Sequence, residues 1–183
     1  MKKIASLILA TLFTAAALTG CGSNGTLGSR VGYPDEYGNA EGGLGDTMHT
    51  YWFDYTVNSA YLCDEFEGYK PSEGYEILVA DVTVKNTVSD TITMFDTDFQ
   101  IQWDDYSDDA YDVPITFYLE DDVVLNKDML PGEYDLNKNE SITGLLVYEI
   151  PTGNKDFSIS FLEVFEDYTE GDVFFVYFSA KKQ

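Results

Sequence analysis

The stretch from Tyr75 to Asn86, YEILVADVTVKN, decides the fold class of this chain. Leu78, Ala80, Val82 and Val84 fall on one face, with Asp81, Thr83 and Lys85 on the other, the period of a strand with one buried side. Upstream, His49, Tyr51, Phe53, Tyr55 and Val57 alternate with Thr50, Asp54 and Thr56 in the same way. Downstream, strands are expected at 91–95, 99–103, 113–119, 141–150, 156–164 and 173–180. Breaks are expected at 68–74, 104–112, 130–139, 151–154 and 167–171. Residues 141–150 and 173–178 are apolar on both faces and read as central strands. The segment 120–130, EDDVVLNKDML, reads as a short helical turn or an ordered loop. No helical period of useful length appears. About seven short strands at regular spacing predict an all-β sandwich or small barrel.

The charge bounds the partners. Across 183 residues, 10 Lys and Arg face 33 Asp and Glu, for a net charge of −23. Nucleic acid is excluded as a partner, because phosphate binding needs clustered cations, and so is direct attraction to anionic lipid. With 44% hydrophobic and 15% aromatic residues the chain still folds around a core, unlike an acidic tail. A chain of this size buries about two thirds of its unfolded surface and needs no disulfide.

The N-terminus reads as an export signal: Lys2 and Lys3, a mostly apolar run from Ile4 to Leu18, then small residues before Cys21. Ser6, Thr11 and Thr14 interrupt the run, which ends short of the ~20 apolar residues a membrane span requires. Leu18-Thr19-Gly20-Cys21 resembles the lipobox of bacterial lipoproteins. The resemblance implies diacylglyceryl transfer to the Cys21 sulfur and cleavage before Cys21. Lipid would then hold the protein at the membrane stably, since two or more acyl chains bind where one does so only marginally. Three regions follow: a lipoprotein signal helix over 1–20, the lipidated Cys21 with a Gly-rich flexible linker over 21–46, and the sandwich over 47–183. Such a linker spans roughly 25 to 30 Å end to end. With Cys21 consumed by lipid, Cys63 is expected to remain a free thiol.

YEILVADVTVKN at 75–86, the Phe99 to Trp103 strand with Tyr111, and NESITGLLVYEIP at 139–151 resemble the telokin-like domains of unknown function carried by many lipoproteins of Gram-positive bacteria. The resemblance runs approximately from Gly45 to Lys181. It implies an immunoglobulin-like antiparallel β-sandwich of about seven strands, like that of a mycobacterial secreted antigen, and it implies no catalytic residues. The chain departs from the family at Asn137-Lys138-Asn139, where Pro-Gly is usual, and in lacking a glycine after Trp103.

Catalytic constellations are absent from the sequence. There is one histidine, His49, no G-x-S-x-G elbow and no phosphate-binding glycine loop. The acid cluster is the remaining chemistry: ten carboxylates between Asp96 and Asp122, with no Lys or Arg among them. Within it Asp105, Ser107 and Asp109 match the first three ligands of a calcium loop, but Ala110 stands where that loop turns on glycine and Thr116 where it needs a bidentate glutamate. A solvated acidic loop is the competing reading. Tyr106, Tyr111 and Tyr134 fall off the core pattern and are candidate ring platforms for a ligand.

These features describe a non-enzymatic, extracytoplasmic lipoprotein of the Gram-positive surface. Its sandwich is expected to act as a binding or interaction module for a protein or cell-envelope polymer, with the membrane as its partner through lipid. The alternatives are an acidic surface-shielding lipoprotein without a specific ligand and a calcium-dependent envelope protein.

Overall fold

The computed structural model describes residues 30–103, 110–119 and 125–183. Among these the strands run β1 (Asn39–Gly43), β2 (Thr47–His49), β3 (Phe53–Cys63), β4 (Tyr75–Asn86), β5 (Ile92–Phe95), β6 (Gln100–Trp103), β7 (Tyr111–Asp112), β8 (Glu133–Leu136), β9 (Ser141–Pro151), β10 (Asp156–Val164) and β11 (Glu170–Ser179). Single 3-10 turns stand at Asp96–Asp98 and Ile115–Phe117.

Two sheets form the sandwich, ordered β1-β11-β10-β6-β7 and β2-β3-β4-β9, and β5 and β8 form a separate antiparallel pair. All pairings within the two sheets are antiparallel except β1 with β11. The main core lies between the sheets, where Phe53, Tyr55, Val82 and Tyr148 meet Ile101, Ile159, Phe161, Phe174 and Val176. Phe161, Phe99, Phe53 and Tyr55 pack ring against ring, with Phe53 and Phe161 centroids 4.8 Å apart. Each such fully buried side chain contributes about 1.5 to 3 kcal/mol.

The face assignment of 78–85 matches the burial of β4, where Leu78, Ala80, Val82 and Val84 are buried. β3 keeps its own apolar residues inward through a bulge, because the register shifts between Val57 and Ser59 and returns Leu62 to the core side. Asn58, in the bulge, donates its amide to Asp81 at 2.6 Å and Thr83 at 2.9 Å.

Several sequence expectations are corrected. The alternating run from His49 to Val57 is two strands, because Thr50 turns the chain by accepting the Trp52 and Phe53 amides and donating to the Phe53 carbonyl. Residues 113–119 contain a 3-10 turn in place of a strand, since Pro114 caps a turn closed by the Phe117 and Tyr118 amides. The expected break at 130–139 holds β8. The expected linker does not extend to residue 46: Asn39–Gly43 is a strand of the sheet, with Ala40 wholly buried.

β9 is an edge strand, not a central one. Its outward apolar residues are covered instead by a second core of Phe66, Ile77, Val79, Ile115, Met129 and Val147. Residues 128–130 cross its edge, with the Leu130 amide donating to Leu145 at 3.0 Å and the Leu145 amide to Asp128 at 2.8 Å.

Candidate functional site

The turn at Ile115–Phe117 is built to show two rings. Ile115 is 1% exposed and pinned in the second core, while Phe117 and Tyr118 are each 61% exposed. Their rings meet edge to face, centroids 5.2 Å apart and planes at 90°. Tyr118 donates its phenol to Asp112 Oδ1 at 2.6 Å, and the Val113 amide donates to the same oxygen at 2.7 Å. Asp112 Oδ2 has no protein partner among the described residues.

Tyr111, 42% exposed, precedes Asp112 on β7. Tyr69, which feels the charge of Asp112, donates its phenol to Glu149 Oε1, and the Ser72 amide donates to Oε2 at 3.1 Å. Tyr69 is delivered by a tight turn at Glu67 and Gly68, whose φ of 50° and 86° both lie in the left-handed region. Phe66 and Tyr69 close that turn with reciprocal amide bonds of 2.9 and 2.8 Å.

The electrostatics bind these residues into one face. Burial, the bond to Glu149 and the Glu149 and Asp112 charges push the Tyr69 phenol up to about 12. Burial, the bond to Asp112 and the charges of Asp112, Glu149 and Tyr111 push the Tyr118 phenol well above its usual range. Both phenols therefore remain donors at any physiological pH. The ion pairs among the described residues, His49 with Asp54, Lys70 with Glu65 and Lys182 with Asp64, leave Asp112 and Glu149 without a cation.

Of the residues singled out in the sequence, Cys21, Asp105, Tyr106, Ser107 and Asp109 lie outside the described residues. Tyr111 joins the face. Tyr134 does not: it is 8% exposed and turned into the main core, because its place on β8 puts it on the inward side beside Leu136. Asp96 and Asp98 occupy a separate turn, with Asp96 buried and accepting the Thr116 hydroxyl. Thr116, the failed twelfth ligand of a calcium loop, is thus committed to Asp96.

His49 and Cys63 cannot act together. His49 Nδ1 pairs with Asp54 Oδ1 at 2.8 Å and its ring stacks on Tyr33, whereas Cys63 ends β3 at the opposite extreme. Nine residues of extended strand between Asp54 and Cys63 amount to about 30 Å. Cys63 is a half-buried free thiol, and burial foremost pushes its pKa up. No group of three metal-ligating side chains occurs among the described residues.

Phe117, Tyr118, Tyr69 and Glu149 were not anticipated from sequence. The available signal was Pro114, which denies a strand its amide and favours a turn start.

The chain belongs to a family described as a domain of unknown function, DUF4352, whose profile matches residues 42–171. The match contains Tyr69, Tyr111, Phe117 and Tyr118 and excludes most of β1 and of β11. In fold the chain is similar to ycdA, a proposed lipoprotein of Bacillus subtilis subsp. subtilis strain 168, at 15% identity and TM-score 0.55 over 73% of this chain and 38% of that one. It is also similar to the yjhA protein of Bacillus subtilis, at 21% identity and TM-score 0.50 over 66% of this chain and 81% of that one. The chain therefore spans well under half the length of ycdA. No curated protein matches it in sequence.

Proposed function

We propose that this protein is a lipid-anchored, extracytoplasmic binding module of a Gram-positive envelope, non-catalytic, with the Phe117–Tyr118 face as its recognition surface. One observation carries the reading: two large rings, each 61% exposed, stand on a turn anchored by the buried Ile115, with the Tyr118 phenol bonded to Asp112 and the Phe117 ring packed edge to face on Tyr118, although a monomer gains nothing by exposing them. The lipobox at Cys21 and the likeness in fold to a proposed lipoprotein support the anchor.

The recognition face and the tethered end lie apart. β7 and β1 are opposite edges of one five-stranded sheet, about 19 Å from each other at ordinary strand spacing. A surface-shielding role needs charge but not ordered rings, so the rings favour binding.

Two measurements test the reading. Labelled palmitate is expected to enter the wild type and not Cys21→Ser; equal labelling would remove the anchor. The full chain, purified in detergent, is expected to retain envelope components that a Phe117→Ala, Tyr118→Ala variant of equal melting temperature does not; identical retention would remove this face as the binding surface.

A further inference from the structure

We infer that the face takes lysine or arginine side chains, so that its partner is a protein presenting a basic segment. The inference rests on the binding reading above and names its chemistry. A pyranose ring wants a flat aromatic platform, but Phe117 and Tyr118 stand at 90° and offer a corner. An ammonium or guanidinium group fits such a corner, lying over the face of a ring within about 6 Å of its centroid. The Tyr118 phenol donates to a carboxylate, which enriches its ring in electron density and strengthens that attraction.

The carboxylates make the same choice. Asp112 Oδ2 has no protein partner among the described residues, and it sits beside the rings on the strand that carries Tyr111. Glu149 has both oxygens occupied by Tyr69 and Ser72, so it contributes charge without a free acceptor. Neither Asp112 nor Glu149 is paired with a cation among the described residues, and the chain as a whole carries a net charge of −23. An anionic polymer is repelled by such a surface and a neutral one gains nothing from its charge. A basic segment gains both the ring contacts and a charge-assisted bond to Asp112.

The test is calorimetric titration of the full chain in detergent with an oligo-arginine peptide, an oligo-lysine peptide and neutral chitotetraose. Four chains are compared: wild type, Phe117→Ala with Tyr118→Ala, Asp112→Asn, and Glu36→Gln. Glu36 is exposed on the N-terminal segment, so its variant loses the same unit of charge as Asp112→Asn at a distance from the face. Binding of the basic peptides, weakened about tenfold or more by the two face variants and by less than twofold in Glu36→Gln, is the expected result. Equal weakening in Asp112→Asn and Glu36→Gln would mean undirected attraction to an acidic protein and would overturn the inference. Chitotetraose binding that depends on Phe117, without peptide binding, would overturn the cationic partner while leaving the binding reading intact. Failure of all three probes would overturn the cationic partner, and envelope components retained by the wild type but not by Phe117→Ala with Tyr118→Ala would then keep the binding reading standing without it.

Discussion

Thr116 donates its hydroxyl to the buried carboxylate of Asp96, tying together the only two 3-10 turns among the described residues. The bond fixes the turn that carries Phe117 and Tyr118 to the connection between β5 and β6. It also leaves a carboxylate where water is scarce. Burial pushes Asp96 up to about 6 against the opposing hydrogen bonds from Thr116 and the backbone, and burial does the same to Asp98, with the Asp96 charge adding to it.

The pH dependence follows from that shift. Both groups hold a proton more tightly folded than unfolded, so between about pH 4 and pH 6 the native state binds more protons and stability falls as pH rises. Above pH 6 the cost is fully present. Asp96→Asn, whose amide oxygen still accepts from Thr116, is expected to raise stability at pH 7.5 by about 1 to 3 kcal/mol and to leave it nearly unchanged at pH 4. Urea unfolding of both chains at the two values checks this, and the difference between chains removes the general repulsion of the other carboxylates.

Tyr134 offers a second stability test. Its hydroxyl is buried and is the one buried side-chain polar atom among the described residues without a hydrogen-bond partner, and burial with the Asp98 and Asp96 charges pushes its phenol up. Removing a buried hydroxyl that makes no bond costs nothing in contacts and recovers its desolvation, so Tyr134→Phe is expected to melt at or above the wild-type temperature. A loss of more than about 1 kcal/mol would show that the hydroxyl is bonded in solution.

Gly144 is required for space. A Cβ there would lie 2.9 Å from the Leu130 nitrogen and 3.1 Å from the Asp128 carbonyl oxygen, both backbone atoms held by Leu145. Gly144→Ala is expected to cost about 1 to 3 kcal/mol by forcing the crossing segment off β9. Hydrogen exchange should report it as faster exchange at the Leu130 and Leu145 amides, with little change in β10.

Calcium is expected to do no more than sodium. The Asp105, Ser107 and Asp109 spacing begins a calcium loop whose sixth position is Ala110, and whose twelfth, Thr116, is already bonded to Asp96. Melting in a few millimolar calcium chloride should equal melting in sodium chloride of the same ionic strength. A calcium-specific rise abolished by Asp105→Asn with Asp109→Asn would establish a site at that loop.

The sandwich was legible where burial is one-sided. Ala80 through Lys85 sort cleanly into faces because one face meets the core and the other meets polar groups, whereas Ile77 and Val79, on that second face, are buried in the second core. The order of strands was not legible, because apolar residues on both faces mean burial without saying by what: Val147 is covered by Ile115 and Met129, not by a neighbouring strand. β1 was hidden because Asn39–Gly43 puts only one small apolar side chain, Ala40, into the core and is held mainly by its backbone bonds to β11. The aromatic face was partly legible in Tyr111, whereas Phe117 and Tyr118 read as strand residues until Pro114 is given its due weight as a turn former. Tyr134 misled because a polar tip marks a residue for the surface only when its neighbours leave it there.

β1 also determines how the domain bears mechanical load. Tension applied through the N-terminal segment enters the sandwich at Asn39, runs along a strand paired parallel to β11 over five residues, and loads those bonds lengthwise. The free edge of β1 is strapped by Gly32 and Asp35, whose amides bond Glu41 at 3.3 Å and Asn39 at 2.9 Å. Bonds pulled along the strand must break together, whereas bonds pulled across it open one by one. The domain is thus geared to resist a sudden tug on its N-terminal segment, with a rupture force set by the unfolding rate rather than by equilibrium stability. Single-molecule pulling from residue 30 against the C-terminal end of β11, which shears the β1–β11 pair lengthwise, would read that force directly, and a Gly32→Ala chain, whose added Cβ would fall 1.9 Å from the Thr47 carbonyl oxygen, should give way sooner.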